Sequence, residues 1–172
     1  MSSDVATKRK SMSPPTSDLA QLIARYASGP SELRTALSGL NATQLRTPTP
    51  PGRWSVLEVV CHIADFELVY ADRMKRVVAE DRPTLFGGDP DLFAARLAYD
   101  QRDLEEELQV IESIRRHVAR FLGTLDAPAL VREGLHSSDG PLTLSTLLQR
   151  IVGHIPHHID FIRQKRQSLT GV

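Results

Sequence analysis

Two histidines four residues apart, His154 and His158, lie in the apolar run Gly153-His154-Ile155-Pro156-His157-His158-Ile159-Asp160. On an α-helix, residues i and i+4 project from one face with Cβ atoms about 5–6 Å apart. Both imidazoles can then reach one divalent ion at about 2.0–2.1 Å. A third ligand has to come from another segment, and His62 stands in the other segment where a histidine lies amid strong helical apolar patterning. Three neutral nitrogens would leave the ion its full positive charge and at least one open position, the arrangement of a catalytic rather than a closed structural site. Such an ion lowers the pKa of bound water to about 7 or binds a thiol as its thiolate. Hydrolysis also needs a general base within reach. Glu58 and Asp65, about one turn to either side of His62, are the carboxylates nearest at hand in sequence. Their alternative reading is as helix-surface charges, and the catalytic residues stay unassigned. Cys61 reads as a small core residue.

The elements that must present these groups are helical. Leu144, Leu147, Leu148, Ile151, Ile155, Ile159 and Ile162 fall in one arc of a 100° wheel. His158 lies inside that arc, His154 on its edge and His157 near the opposite side. The i, i+4 pair therefore faces inward, while His157 is solvated or supports the ligands. Pro156 removes the hydrogen bond to the Val152 carbonyl and should kink the helix. A modest kink keeps the two imidazoles together, whereas a break at Ile155 would scatter them. The alternative to a metal site is a pair of core or interface histidines hydrogen-bonded to backbone, since buried imidazoles need partners for both nitrogens.

Upstream, Asp18 suggests an N-cap for a short first helix that Gly29-Pro30 ends, and a second helix runs on to Leu40. Thr47 to Gly52, with three prolines, reads as an extended linker. A helix from Trp54 to about Glu80 is apolar nearly all round and should be central. Another from Pro90, capped by Asp89, runs to about Leu122 and stops at Gly123. A short turn around Pro128 to Leu130 and a polar loop through Gly134 to Gly140 lead to the last helix, Leu142 to about Ser168. No alternating strand pattern appears. The fold class is all-α, a four-helix bundle with a short extra N-terminal helix. Residues 1–16 read as a disordered tail, and residues 17–172 as a single domain.

Twenty-one basic residues balance 21 acidic ones, so the basic excess that favours nucleic acid is missing. One cysteine permits no intramolecular disulfide, no run reaches the roughly 18 apolar residues of a membrane span, and the N-terminus lacks a signal-peptide core. These features suggest a cytoplasmic protein without nucleic acid or membrane partners.

The string Trp54-Ser55-Val56-Leu57-Glu58-Val59-Val60-Cys61-His62-Ile63-Ala64-Asp65, followed by Arg73 and Pro83, resembles the opening helix of the DinB-like (YfiT-related) metalloenzymes. Gly140-Pro141-Leu142-Thr143-Leu144, then Leu147-Leu148 and the closing His154-x-x-x-His158, resemble that family's tail. The resemblance spans roughly residues 33–165. It implies an up-down four-helix bundle in which His62, His154 and His158 hold one divalent metal, commonly nickel or zinc, and it implies a homodimer. It also implies thiol-dependent S-transfer or isomerisation of a small electrophile with a low-molecular-weight thiol. Metal-dependent hydrolysis is the alternative, and a noncatalytic metal-binding or dimerisation bundle is a second one. Ile155-Pro156 departs from the polar residue that often follows the first histidine of the closing motif.

Overall fold

A computed structural model of the chain describes residues 17–170, so the expected tail of residues 1–16 lies outside the described residues. The elements run α1 (Ser17–Leu37), α2 (Ala42–Arg46), α3 (Val56–Ala79), β1 (Thr84–Leu85), α4 (Pro90–Arg96), α5 (Leu104–Leu122), β2 (Glu133–His136), β3 (Gly140–Thr143) and α6 (Leu144–Thr170). Short 3₁₀ turns at Tyr99–Gln101 and Ala127–Val131 flank α5. The long helices α1, α3, α5 and α6 form the expected four-helix bundle: α3 packs on α5 and α6, and α1 packs on the same two. One core cluster joins the first half of α1 and of α6 to the second half of α3 and of α5, and another joins the complementary halves. Helices α1 and α6 therefore run one way and α3 and α5 the other, so the connection from α3 to α5 joins two parallel helices, where a strict up-down order would reverse direction. No helix among the described residues is long and apolar enough to cross a membrane.

Between the two clusters lies a polar layer built on one buried ion pair. Arg115 of α5 donates from Nε and Nη2 to Glu67 Oε1 of α3 at 2.8 and 2.5 Å. Tyr26 Oη of α1 donates to Glu67 Oε2 at 2.9 Å, and the guanidinium lies 4.5 Å from the Tyr26 ring centroid. Arg115 also donates to the Tyr26 carbonyl at 2.8 Å and to the Ile151 carbonyl of α6 at 3.0 Å. All four long helices meet at this group.

That layer explains why the expected break at Gly29-Pro30 does not occur and α1 is one continuous helix. Pro30 has no N–H to give to the carbonyl four residues back, which is that of Tyr26, and Arg115 supplies the missing donor. Gly29 makes room for it, since a Cβ there would lie 2.2 Å from Arg115 Nη1.

Three other expectations are corrected. The helix expected over 90–122 is interrupted at 97–103, where Ala98 takes a left-handed φ of 50° and Asp103 starts a new helix by accepting from Glu105 N and Glu106 N. A three-stranded sheet, not foreseen, pairs β1 parallel to β2 and β2 antiparallel to β3, so α6 begins at Leu144 rather than Leu142. Gly134 permits that sheet, because a Cβ there would lie 2.8 Å from the Leu85 side chain. Finally, the helix expected to run on to Leu40 ends at Leu37, and the residues just before the Thr47–Gly52 linker form α2, opened by a capping box between Asn41 and Gln44.

Removing one partner from a buried ion pair strands the other charge at a cost of about 3–5 kcal/mol. Arg115→Met should therefore lower unfolding free energy by about that amount in urea titration, and Glu67→Met should do the same. The double substitution should cost less than the sum of the two, because it leaves no orphaned charge. Additive losses would show that the pair is not coupled.

Candidate metal centre

Ser55 opens α3: its hydroxyl accepts from Glu58 N while the Glu58 carboxylate accepts from Ser55 N at 2.6 Å. This reciprocal cap satisfies two donors at the helix start and sets His62 two turns inside, on the buried side. Helix α6 stays continuous through Pro156, so His154 and His158 keep one face. Their rings pack edge-on with centroids 4.6 Å apart, while His157 is exposed. Among the described residues, His62, His154 and His158 form the group of potential metal ligands whose donor atoms all lie within 4.8 Å of one another.

His154 Nε2 lies 3.1 Å from His62 Nε2 and 3.1 Å from His158 Nε2. A ring nitrogen of a neutral imidazole is either a donor or an acceptor, so His154 Nε2 cannot complete a donor–acceptor chain with both neighbours. The Nδ1 atoms of all three rings are buried and also lack hydrogen-bond partners. As a purely hydrogen-bonded core cluster the trio is badly satisfied. One cation at about 2.0–2.1 Å from each Nε2 would engage all three lone pairs, and a spacing of 3.1 Å corresponds to an angle of about 100° at such an ion. The residues fit a divalent metal with all-nitrogen ligation. The carboxylate or carbonyl that usually accepts from the outer nitrogen of a ligating histidine is absent from the described residues at all three positions.

Burial keeps the rings neutral and ready to ligate. It pushes the His62 imidazole down to about 4, against the opposing fields of Asp65 and then Asp91. It takes His158 to about 3, helped by His62 and His157, and His154 to about 2, helped by His158 and His62. Trp54 and Phe66 wall the His62 ring, with centroids 5.2 and 4.4 Å away.

His158 also lines a cleft of about 780 Å³, whose walls include Arg53, Trp54, Val59, Asp91, Phe161 and Lys165. Lys165 Nζ pins one wall by donating to the Thr49 and Trp54 carbonyls at 2.5 Å each. The two carboxylates nominated as bases are committed elsewhere. Glu58 caps α3, and Asp65 accepts from Tyr99 Oη at 2.8 Å and from Arg102 at 3.0 Å. Asp91, which sequence reasoning did not single out, is an exposed carboxylate in the cleft. Its only sequence mark is a place in the first turn of α4 behind the Asp89 cap. Cys61 is fully buried near the Tyr99 carbonyl, and burial raises its thiol to about 12, as expected of a core residue.

An unfolded imidazole titrates near pH 6.5, whereas the folded ones take up protons only at about 4, 3 and 2. Between these limits the unfolded chain binds more protons, so stability rises with pH there. The metal-free protein should hold this contribution fully above about pH 6.5 and lose it progressively as the pH falls toward 4. Urea midpoints measured across that window should decline, and His154→Asn should flatten the decline. An equal slope in that variant would mean that His154 does not titrate as described.

The DinB superfamily model matches residues 25–162. A Geobacillus kaustophilus protein named "Putative metal-dependent hydrolase" is 46% identical over 153 residues, covering 87% of this chain and 85% of that protein. A Bacillus cereus protein of the same name is 27% identical over 141 residues, covering 82% of this chain and 81% of its own length. Among solved structures, YfiT from Bacillus subtilis, described as "a probable metal-dependent hydrolase with an unusual four-helix bundle topology", superposes with a TM-score of 0.84 at 24% identity, over 94% of this chain and 92% of YfiT. The four-helix bundle protein TT2238 superposes with a TM-score of 0.61 at 22% identity, over 85% of this chain and 98% of its own. The bundle architecture, the histidine-bearing helices and the match over most of the sequence together make this chain a member of the DinB superfamily.

Proposed function

We propose that this protein is a metal-dependent hydrolase whose single divalent ion is held by His62, His154 and His158. The observation that carries the reading is the convergence of three Nε2 atoms that cannot all satisfy one another, beside a cleft lined by one of the same histidines. A divalent ion on three imidazoles supplies a Lewis acid that brings the pKa of a ligated water to about 7. Zinc and nickel both suit such a donor set. The names of the relatives favour hydrolysis over the thiol-dependent transfer or isomerisation that the family resemblance placed first.

The chain's own groups divide the remaining work. Asp91 is the proton acceptor, because it shares the cleft with His158 and its charge acts on His62. Trp54 and Phe161 offer apolar walls to the substrate body, and Arg53 brings positive charge to the same cleft. Neutral histidines leave the ion's charge uncompensated, which favours a substrate oxygen that becomes negative during reaction.

Elemental analysis of protein purified without added metal should find about one divalent ion per chain, in keeping with three-ligand sites. His62→Ala and His158→Ala should lose it, while His157→Ala should retain it. Full loading in His158→Ala would refute the ligand set. Asp91→Asn should keep the metal and lower kcat on any ester or amide that is turned over by about 10²–10⁴-fold, the range for a lost general base. Parallel assays with added low-molecular-weight thiols test the transfer alternative, which would win if turnover required the thiol.

A further inference from the structure

A second cavity, of about 490 Å³, lies along the C-terminal half of α3. Arg73, Phe86, Gly87 and Gly88 line it together with Leu68 and Phe93. Phe66 separates it from the histidines: its ring lies 4.4 Å from His62 on one side and 5.6 Å from Phe93 on the other. A Cβ on Gly88 would lie 3.3 Å from Phe66. Arg73 is only 6% exposed, yet no carboxylate among the described residues lies within ion-pair distance of it. The neighbouring charges are spent on one another, with Asp72 and Glu80 on Arg76 and Asp139 on Arg150. Arg73 Nη2 donates to the Phe86 carbonyl, its guanidinium carbon lies 5.1 Å from the Tyr70 ring centroid, and its Nε is buried with no acceptor.

A buried, unpaired guanidinium is costly, and arginine does not lose its charge under ordinary conditions. Its Nε and Nη2 edge is the fork that grips a carboxylate with two parallel hydrogen bonds. Beside that fork the lining is largely apolar, its other charges Asp72 and Arg76 being paired with each other, and it offers two exposed side chains, Leu68 at 52% and Phe86 at 76%. A neutral acceptor could take the Nε hydrogen bond but would leave the buried charge uncompensated, a cation would oppose that charge, and a bare inorganic anion would leave the apolar walls wet.

We propose that this cavity is a binding site for a small carboxylate with an apolar body, the oxyanion held by Arg73 and the body packed on Phe86, Phe93 and Leu68. It is separate from the histidine centre and does not depend on the reaction assigned there.

Benzoate and its neutral counterpart benzamide are suitable probes for calorimetric titration of the full-length protein. Benzoate should bind saturably, one per chain, and benzamide roughly tenfold more weakly or not at all, the scale of a lost charged hydrogen bond. Arg73→Met should weaken benzoate by a similar factor. Arg73→Lys should recover only part of the affinity, because lysine lacks the fork. His158→Ala should bind benzoate as the unmodified protein does. If Arg73→Met does not fold, Phe86→Asp, at an exposed position, serves instead and should weaken benzoate to the same degree by placing a negative charge at the rim. Equal binding of benzoate and benzamide would overturn the proposal, as would unchanged affinity in the folded variants or no saturable binding at millimolar concentration. Loss of binding in His158→Ala would also overturn it, by moving the anion to the histidines.

Discussion

The bundle is organised around one charge that cannot leave. Arg115 sits at 1% exposure and Glu67 at 0%. Burial drives the Glu67 carboxyl upward and the neighbouring guanidinium pulls it back. Two further hydrogen bonds of Arg115 fix backbone. Through Tyr26 it holds α1, and through the Ile151 carbonyl it holds the turn of α6 immediately before His154. Glu67 stands five residues beyond His62 on α3. The two helices that carry the histidines are thus clamped by one guanidinium at neighbouring levels, which fixes their separation where three nitrogens have to converge. Packing alone tolerates sliding of apolar surfaces. A satisfied polar layer does not, because a small shift breaks several bonds whose partners have no water to turn to.

The histidine trio uses the opposite strategy. Its nitrogens are left unsatisfied by protein, and burial holds the rings uncharged at neutral pH. The usual outer acceptors would raise the basicity of the ligands and fix their tautomers, but here the rings are positioned mainly by aromatic neighbours such as Trp54 and Phe66. The departure at Ile155-Pro156 accords with this, since Ile155 faces the core and Pro156 has no polar group to turn toward a ring. The remaining unpaired buried side-chain atom among the described residues, Arg73 Nε, differs in sign and setting. It offers a proton where the imidazoles offer lone pairs.

How far the sequence could be read followed how local the determining forces are. The pairing of His154 with His158 depends only on helical periodicity, and the apolar arc around them fixed which way they face. His62 could be placed because α3 is apolar nearly all round and therefore central. Gly29-Pro30 misled because the donor that rescues the Tyr26 carbonyl belongs to Arg115, far away in sequence. The strands β1 to β3 were invisible because each is only two to four residues long and their stability lies in pairing between distant segments. Asp91 escaped notice for the same reason: its place in the cleft that His158 lines depends on how the connector between α3 and α5 folds back. Asp103, by contrast, carried a readable cap signal in the middle of what periodicity alone joined into one long helix.

The contact of Lys165 with the carbonyls of Thr49 and Trp54 ties the closing turns of α6 to the segment that precedes α3. The mouth of the cleft beside His158 is therefore assembled from two segments far apart in sequence, while the three histidines sit deeper in the bundle. Substitutions in those outer turns can reshape the cleft without touching the histidines, so the shape of the opening and the chemistry of the nitrogen cluster are free to diverge separately among descendants of this fold.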